Sequence, residues 1–213
     1  MLLKMKLWVF IIAGMMLWGT LSCEGMNALQ TISQGAPSSR TKENSRKSSD
    51  SSMSSPAEVA KTVNTNLEKF ESQIQQKFPE VPQITVTELQ ALLTAQDASL
   101  PILLDVREIE EYKVSHLFGA FHIDPKVKLS EFEKRFKKDQ AIILYCSVGY
   151  RSSELALNLI QKGYQNVSNL KGSIFRWRNL GYPVFRGTQQ EDKVHPYDKK
   201  WGKLLLPRYR SKI

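Results

Sequence analysis

Ala141-Ile142-Ile143-Leu144-Tyr145-Cys146-Ser147-Val148-Gly149-Tyr150-Arg151-Ser152 is the stretch whose reading decides the fold. The apolar, partly β-branched run before the cysteine reads as a strand buried on both faces. The strand ends on Cys146, and after a short loop a helical pattern follows at Leu155, Leu157, Leu159 and Ile160, which Ser152 caps or opens. In open parallel sheets ligands collect at the carboxyl ends of strands, and a loop entering a helix aims backbone N–H groups at whatever occupies its bowl. A thiolate at Cys146 gains from those donors, from the helix dipole and from Arg151, which predicts a thiol pKa below the free value of about 8.5. Gly149 lets the loop curl where a side chain would obstruct it.

Outward from this stretch the alternation continues. Pro101 to Val106, Ala120 to Ile123, Ala141 to Cys146 and Val167 to Leu170 read as buried strands separated by segments with helical spacing. Such alternation predicts an α/β domain with a mainly parallel sheet covered by helices. Thr87 with Gln90 reads as a capping box before Leu89, Leu92 and Leu93. Upstream, Ser55-Pro56-Ala57-Glu58 starts a helix over 56–79, with Val59, Val63, Leu67, Phe70, Ile74 and Phe78 forming one apolar face until Pro79 and Pro82 stop it. That face either packs on the chain's own domain or docks a partner.

The ends differ from the middle. Lys4 and Lys6 precede an apolar run from Leu7 to Trp18, and Gly19-Thr20-Leu21-Ser22-Cys23 follows, the order of a secretory signal. Residues 1–23 are therefore expected to direct export to the periplasm or cell envelope. Thr20-Leu21-Ser22-Cys23 resembles a bacterial lipobox, which makes Cys23 the candidate lipidation site and membrane attachment possible; an uncleaved anchor is the other reading. Residues 24–55 are rich in Ser, Thr, Gly and Asn with no apolar period and read as a flexible linker, with a reach on the order of 30 Å. The tail, 188–213, is basic: from Arg186 onward eight Lys or Arg stand against three acids, so that stretch supplies +5 of the +9 net charge. It either wraps back on the domain through Trp201 and Leu204-Leu205-Leu206 or meets a membrane surface. No aromatic and basic stripe crosses the middle, so nucleic acid is not an expected partner. In an oxidising compartment cysteines normally pair, yet Cys23 and Cys146 are the two present, and processing at Cys23 leaves Cys146 a lone thiol.

Four stretches in order resemble the rhodanese family: Leu103-Leu104-Asp105-Val106-Arg107 with Glu111-Tyr112, His116-Leu117-Phe118-Gly119-Ala120, Cys146 through Ser152, and Asn169-Leu170-Lys171-Gly172-Ser173-Ile174 with Trp177. The resemblance implies a five-stranded parallel α/β domain over 82–187. It implies that Cys146 takes a sulfane sulfur from a small-molecule donor as a persulfide and passes it to a thiol or cyanide. Ser147, Val148, Gly149, Tyr150, Arg151 and Ser152 would form the substrate-binding loop, with Asp105 and Arg107 supporting it and Glu111 and His116 in the framework. No cofactor and no metal is implied, and no oligomeric state follows. Arg107 and Glu111 are spaced for a structural ion pair.

Two positions depart from the family's pattern. Gly172-Ser173 replaces paired glycines, which is expected to tighten a turn without touching the chemistry. Ser147 follows the cysteine where thiosulfate-preferring members often carry a cation, which leaves the donor open. Two alternatives remain. A cysteine-dependent phosphatase or arsenate reductase shares this fold but resembles its relatives in a longer loop than the six residues from Cys146 through Arg151. A noncatalytic binding module would be marked by loss of the cysteine.

Overall fold

The computed structural model describes residues 55–95 and 99–213. The export signal, the linker and Cys23 lie outside the described residues. Two strands form the centre, β2 (Ile102–Asp105) and β4 (Ile142–Tyr145), because every residue of β4 and three of the four in β2 are buried. They pair in parallel with Asp105 opposite Tyr145. The chain adds β3 (Phe121–His122) beside β2 and β5 (Val167–Leu170) beside β4, and β1 (Gln83–Ile84) closes the far edge against β5. The result is one five-stranded parallel sheet in the order β1-β5-β4-β2-β3. Helices α2 (Val86–Thr94), α3 (Ile109–Val114), α4 (Leu129–Arg135), α5 (Tyr150–Gln161) and α6 (Ser173–Asn179) follow the successive strands. The α/β expectation and the five-stranded parallel sheet hold.

The differences lie in boundaries and caps. β1 has two residues, Gln83 paired with Asn169 and Ile84 with Leu170, too few to leave an alternating pattern. Because this strand ends at Ile84, α2 starts at once: Thr85 is its N-cap and Glu88 completes the capping box, in place of the expected Thr87 and Gln90. Ser152 does not cap the helix after the loop. Gly149, at φ 109°, is the N-cap of α5, a left-handed position that a side chain would strain, and Ser152 and Ser153 are buried in the first turn.

The N-terminal helix α1 spans Pro56–Lys77, with Ser55 Oγ accepting from the Glu58 amide as the capping pattern predicts. Its face packs on the chain's own domain: Val63, Leu67, Ile74 and Phe78 are buried, each contributing about 1.5–3 kcal/mol of apolar burial. Polar contacts fix its register. Glu71, itself buried, takes a 2.7 Å hydrogen bond from Arg176 Nε of α6. Gly172 stands against this pair at φ 70°, where a Cβ would lie 2.1 Å from Glu71 Oε1.

The boundary expected at 187 falls inside a hairpin, β6 (Val184–Arg186) with β7 (Gln189–Glu191), so the domain continues into the tail. The tail wraps back. Leu204, Leu205 and Leu206 are buried, and Asn179 ties them down by donating to the Leu204 carbonyl and accepting from the Leu206 amide, both at 2.9 Å. Two short 3-10 turns, Trp201–Leu204 and Pro207–Tyr209, carry this segment. Among the described residues no helix is long and apolar enough to cross a membrane.

Candidate active site

Cys146 follows β4 directly and sits at the floor of a cavity of about 170 Å³ lined by Ser147, Val148, Tyr150, Arg151, Tyr197 and Trp201. The cysteine is 1% exposed, so its sulfur is reached through this cavity. Gly149 N–H donates to Sγ at 3.2 Å, a contact made by the left-handed turn at Gly149. The Ser152 amide and hydroxyl also favour the thiolate, and the buried Ser152 Oγ, which makes no hydrogen bond to any other group among the described residues, is free to turn its proton to the sulfur. Burial pushes the thiol pKa up, but Arg151, Ser152 and Gly149 outweigh it and hold Cys146 below the ordinary thiol value. The direction expected from the sequence is the one the geometry gives.

The cation is held by a carboxylate. Arg151 Nη1 and Nη2 donate to Glu111 Oε2 and Oε1 at 2.7 and 3.0 Å, and Nη2 also donates to Ser147 Oγ at 3.0 Å. Ser147 Oγ in turn donates to Glu111 Oε1 at 2.7 Å. Burial raises the Glu111 pKa, yet Arg151, Arg107 and Ser147 bring it below the ordinary carboxylate value, so it is ionised at neutral pH. Of the loop, Cys146, Ser147, Val148, Tyr150 and Arg151 line the cavity.

The expected Arg107–Glu111 ion pair is not formed. Arg107 folds back on Asp105 through hydrogen bonds of 2.7 to 3.1 Å and donates to the Ser115 carbonyl at 2.6 Å. Helical spacing misled here because Arg107 precedes α3, whose first residue is Ile109. Asp105 and Arg107, both 0% exposed, sit at the end of β2 opposite Tyr145, one residue before Cys146, and support the sheet end. His116 stacks on Tyr112 at 3.9 Å and its backbone bridges to Phe185, a framework position.

Three features of the site were missed or misjudged by sequence reasoning. Ser173, expected to be remote from the chemistry, accepts a 3.1 Å hydrogen bond from the Cys146 amide and donates to the Leu170 carbonyl. Its hydroxyl does this at φ 51°, where a glycine in the usual pair has nothing to offer. From the tail, Tyr197 lies 4.9 Å over the Arg151 guanidinium and Trp201 lines the cavity. From α1, Lys77 donates to the Tyr150 hydroxyl and Phe78 meets the Tyr150 ring edge-on at 5.4 Å.

A family model described as Rhodanese-like domain matches residues 85–180. Thiosulfate sulfurtransferase GlpE of Actinobacillus succinogenes is 34% identical over 83 residues, 39% of this chain and 74% of that protein. Its namesake from Haemophilus influenzae is 34% identical over 83 residues, 39% of this chain and 78% of that protein. A solved rhodanese-related protein from Thermoplasma volcanium is 28% identical with a TM-score of 0.43, covering 49% of this chain and 98% of that one.

Proposed function

Because the chain belongs to the rhodanese-like domain family, we propose that it is a sulfurtransferase whose working group is the Cys146 thiolate. The observation that carries the reading is Cys146 at the end of β4, with Gly149 N–H on its sulfur and Arg151 beside it over a small cavity. The thiolate attacks the sulfane sulfur of a donor; the donor's bond to that sulfur breaks, and the leaving group departs with the electron pair. The outer sulfur then sits on Cys146 as a persulfide. A thiol or cyanide takes it, and the thiolate leaves, now stabilised by the same donors. The relatives' name, thiosulfate sulfurtransferase, supports the reaction class; the donor used by this chain is left to experiment.

Mass spectrometry of the protein after exposure to thiosulfate, mercaptopyruvate or a polysulfide should show a gain of one sulfur on Cys146. Cyanide should remove it as thiocyanate, and Cys146→Ser should show neither. No gain with any of these donors, or an unchanged rate in the serine variant, overturns the proposal.

The order of residues 1–23, basic then apolar then small with Cys23, supports delivery out of the cytoplasm and attachment to the envelope. Fractionation tests it. Full-length protein with its initiator Met in the soluble cytoplasm rules out export, and membrane recovery that survives Cys23→Ala rules out lipidation as the anchor.

A further inference from the structure

Among the described residues, two other than glycine hold a left-handed backbone, Ser173 at φ 51° and Tyr197 at φ 66°. Both stand at the site. Ser173 Oγ accepts from the Cys146 amide, and Tyr197 lines the cavity over the sulfur. A left-handed backbone costs any residue that carries a Cβ, and such positions persist where the surroundings enforce them, with functional sites prominent among them. Tyr197 belongs to the tail, beyond the matched residues 85–180, so its role is an addition of this chain to the shared domain.

The tail is built to hold this turn. Val194 is buried and bridges to Arg210, and Pro196 packs on Gly202, where a Cβ would lie 2.9 Å from Pro196 Cβ. The Tyr197 amide donates to His195 Nδ1 at 3.1 Å, and Asp198 Oδ1 accepts from the Trp201 amide at 2.7 Å. The ring so placed lies 4.9 Å from the Arg151 guanidinium carbon, on the cation that Glu111 holds by its two terminal nitrogens. Tyr197 is 44% exposed and Cys146 1%, which sets the ring at the mouth of the cavity and the sulfur at its floor.

We propose that Tyr197 is a positioning residue of the sulfur-transfer site: its ring shields the Arg151 cation from water and so keeps that charge acting on the Cys146 thiolate. The assignment rests on the sulfur-transfer reading above. Attraction between charges weakens as the dielectric between them rises, so a guanidinium opened to water pulls less on the sulfur. Water admitted toward the thiolate acts the other way. The first effect wins, because the ring lies on the cation, whereas the sulfur stays at the floor of a cavity that Ser147, Val148, Tyr150 and Trp201 still wall. The other titratable groups at this pair are Glu111 of α3, bonded to Arg151, and His195 of the tail, which feels Glu111, Arg107 and Glu110. Burial holds the His195 pKa below its ordinary value, so Nδ1 remains an acceptor for the Tyr197 amide through the range in which the thiol titrates.

The test is the alkylation rate of Cys146 against pH in the full chain, with Cys23→Ala throughout. Tyr197→Asn removes the ring and leaves a residue that tolerates the left-handed backbone, so urea denaturation should show the fold retained. Its thiol midpoint should rise by about half a pH unit or more, roughly a threefold fall in the thiolate fraction below the midpoint. Tyr197→Phe keeps the ring on the cation and should return the midpoint to near the wild-type value. In an Arg151→Ala background Tyr197→Asn should add no further shift, because the cation through which the ring acts is gone. A midpoint that Tyr197→Asn leaves in place or lowers overturns the assignment, and so does a shift of equal size in the Arg151→Ala background. A Tyr197→Phe shift as large as that of Tyr197→Asn overturns it too. Each of these leaves the sulfur-transfer reading standing, whereas a Cys146 that gains no sulfur from any donor overturns that reading and the assignment with it.

Discussion

Glu111 grips the Arg151 guanidinium at 2.7 and 3.0 Å across forty residues of chain, and with Ser147 forms a closed triangle of hydrogen bonds beneath the loop. The carboxylate side chain is 2% exposed and the guanidinium 24%, so the pair is held largely out of water. Removing one partner of such a pair strands the other. The triangle fixes Arg151 where its charge acts on Cys146 and, by balancing that charge, limits how far the thiol pKa falls.

Glu111→Gln should therefore separate charge from position. Gln accepts one hydrogen bond from Arg151 but carries no counter-charge, so the Cys146 alkylation midpoint should move further down while the fold loses about 2–4 kcal/mol. A midpoint that moves up would mean that Glu111 acts chiefly by holding Arg151 in place. The pH dependence of stability has a definite sign. Glu111 has a depressed folded pKa, so its contribution is complete above the unfolded carboxylate value of about 4.3 and is lost as pH falls through the folded value. Wild type should lose stability more steeply than Glu111→Gln in urea titrations at successively lower pH below about 4.

Gly172→Ala tests the clamp between α1 and the domain. The added Cβ would meet Glu71 Oε1 at 2.1 Å and Arg176 Cβ at 2.6 Å, at a backbone φ of 70° that alanine adopts at a cost. Urea denaturation should show a loss of more than about 2 kcal/mol, the range of strained or overpacked buried positions. An unchanged midpoint would mean that Glu71 and Arg176 separate without cost.

The loop and strand that carry Cys146 were legible because their signals are local: a buried apolar run, a cysteine, a glycine and an arginine within one short stretch. The apolar faces of α1 and the tail were legible too, as Val63, Leu67, Ile74 and Leu204 to Leu206 show by their burial. Their destination was not. Nothing in the spacing of Phe70, Lys77 or Trp201 says that α1 and the tail, far apart in sequence, come together at Trp201 and meet the loop at Tyr150, since such meetings are set by long-range packing. The pairing of Glu111 escaped for the same reason. A partner four residues away was in view, whereas the real one, Arg151, stands in another element. Ser173 was misjudged because its role depends on a left-handed backbone that its identity does not advertise.

Phosphatase chemistry is the reading that loop length disfavours. Aryl phosphate should show no Cys146-dependent turnover, and inserting one residue before Arg151 should be needed before any develops. Turnover in the wild type that the insertion does not raise would favour the phosphatase instead.

The reactivity of Cys146 has a source that can be dissected. Burial pushes its thiol pKa up, while Arg151, the Ser152 hydroxyl and amide, and the Gly149 amide bring it below the ordinary value. Alkylation rate against pH, measured with Cys23→Ala so that a single thiol reacts, should rise through a midpoint below about 8.5 and be flat above it. Because the folded-state pKa is depressed, the reactive fraction at a given pH exceeds that of a free thiol and falls away as pH drops through that midpoint. Arg151→Ala removes the largest of the lowering influences and should raise the midpoint most. Arg151→Lys should raise it less, since Lys keeps the charge but cannot reproduce the forked contacts to Glu111 and Ser147. Ser152→Ala should raise it by a smaller amount again, having lost one hydroxyl while the amides stay. Equal midpoints in all four proteins would assign the activation to the backbone amides alone. A wild-type midpoint at or above that of a free thiol would mean that burial wins and that the loop-and-cation account of activation is wrong, even in an active enzyme.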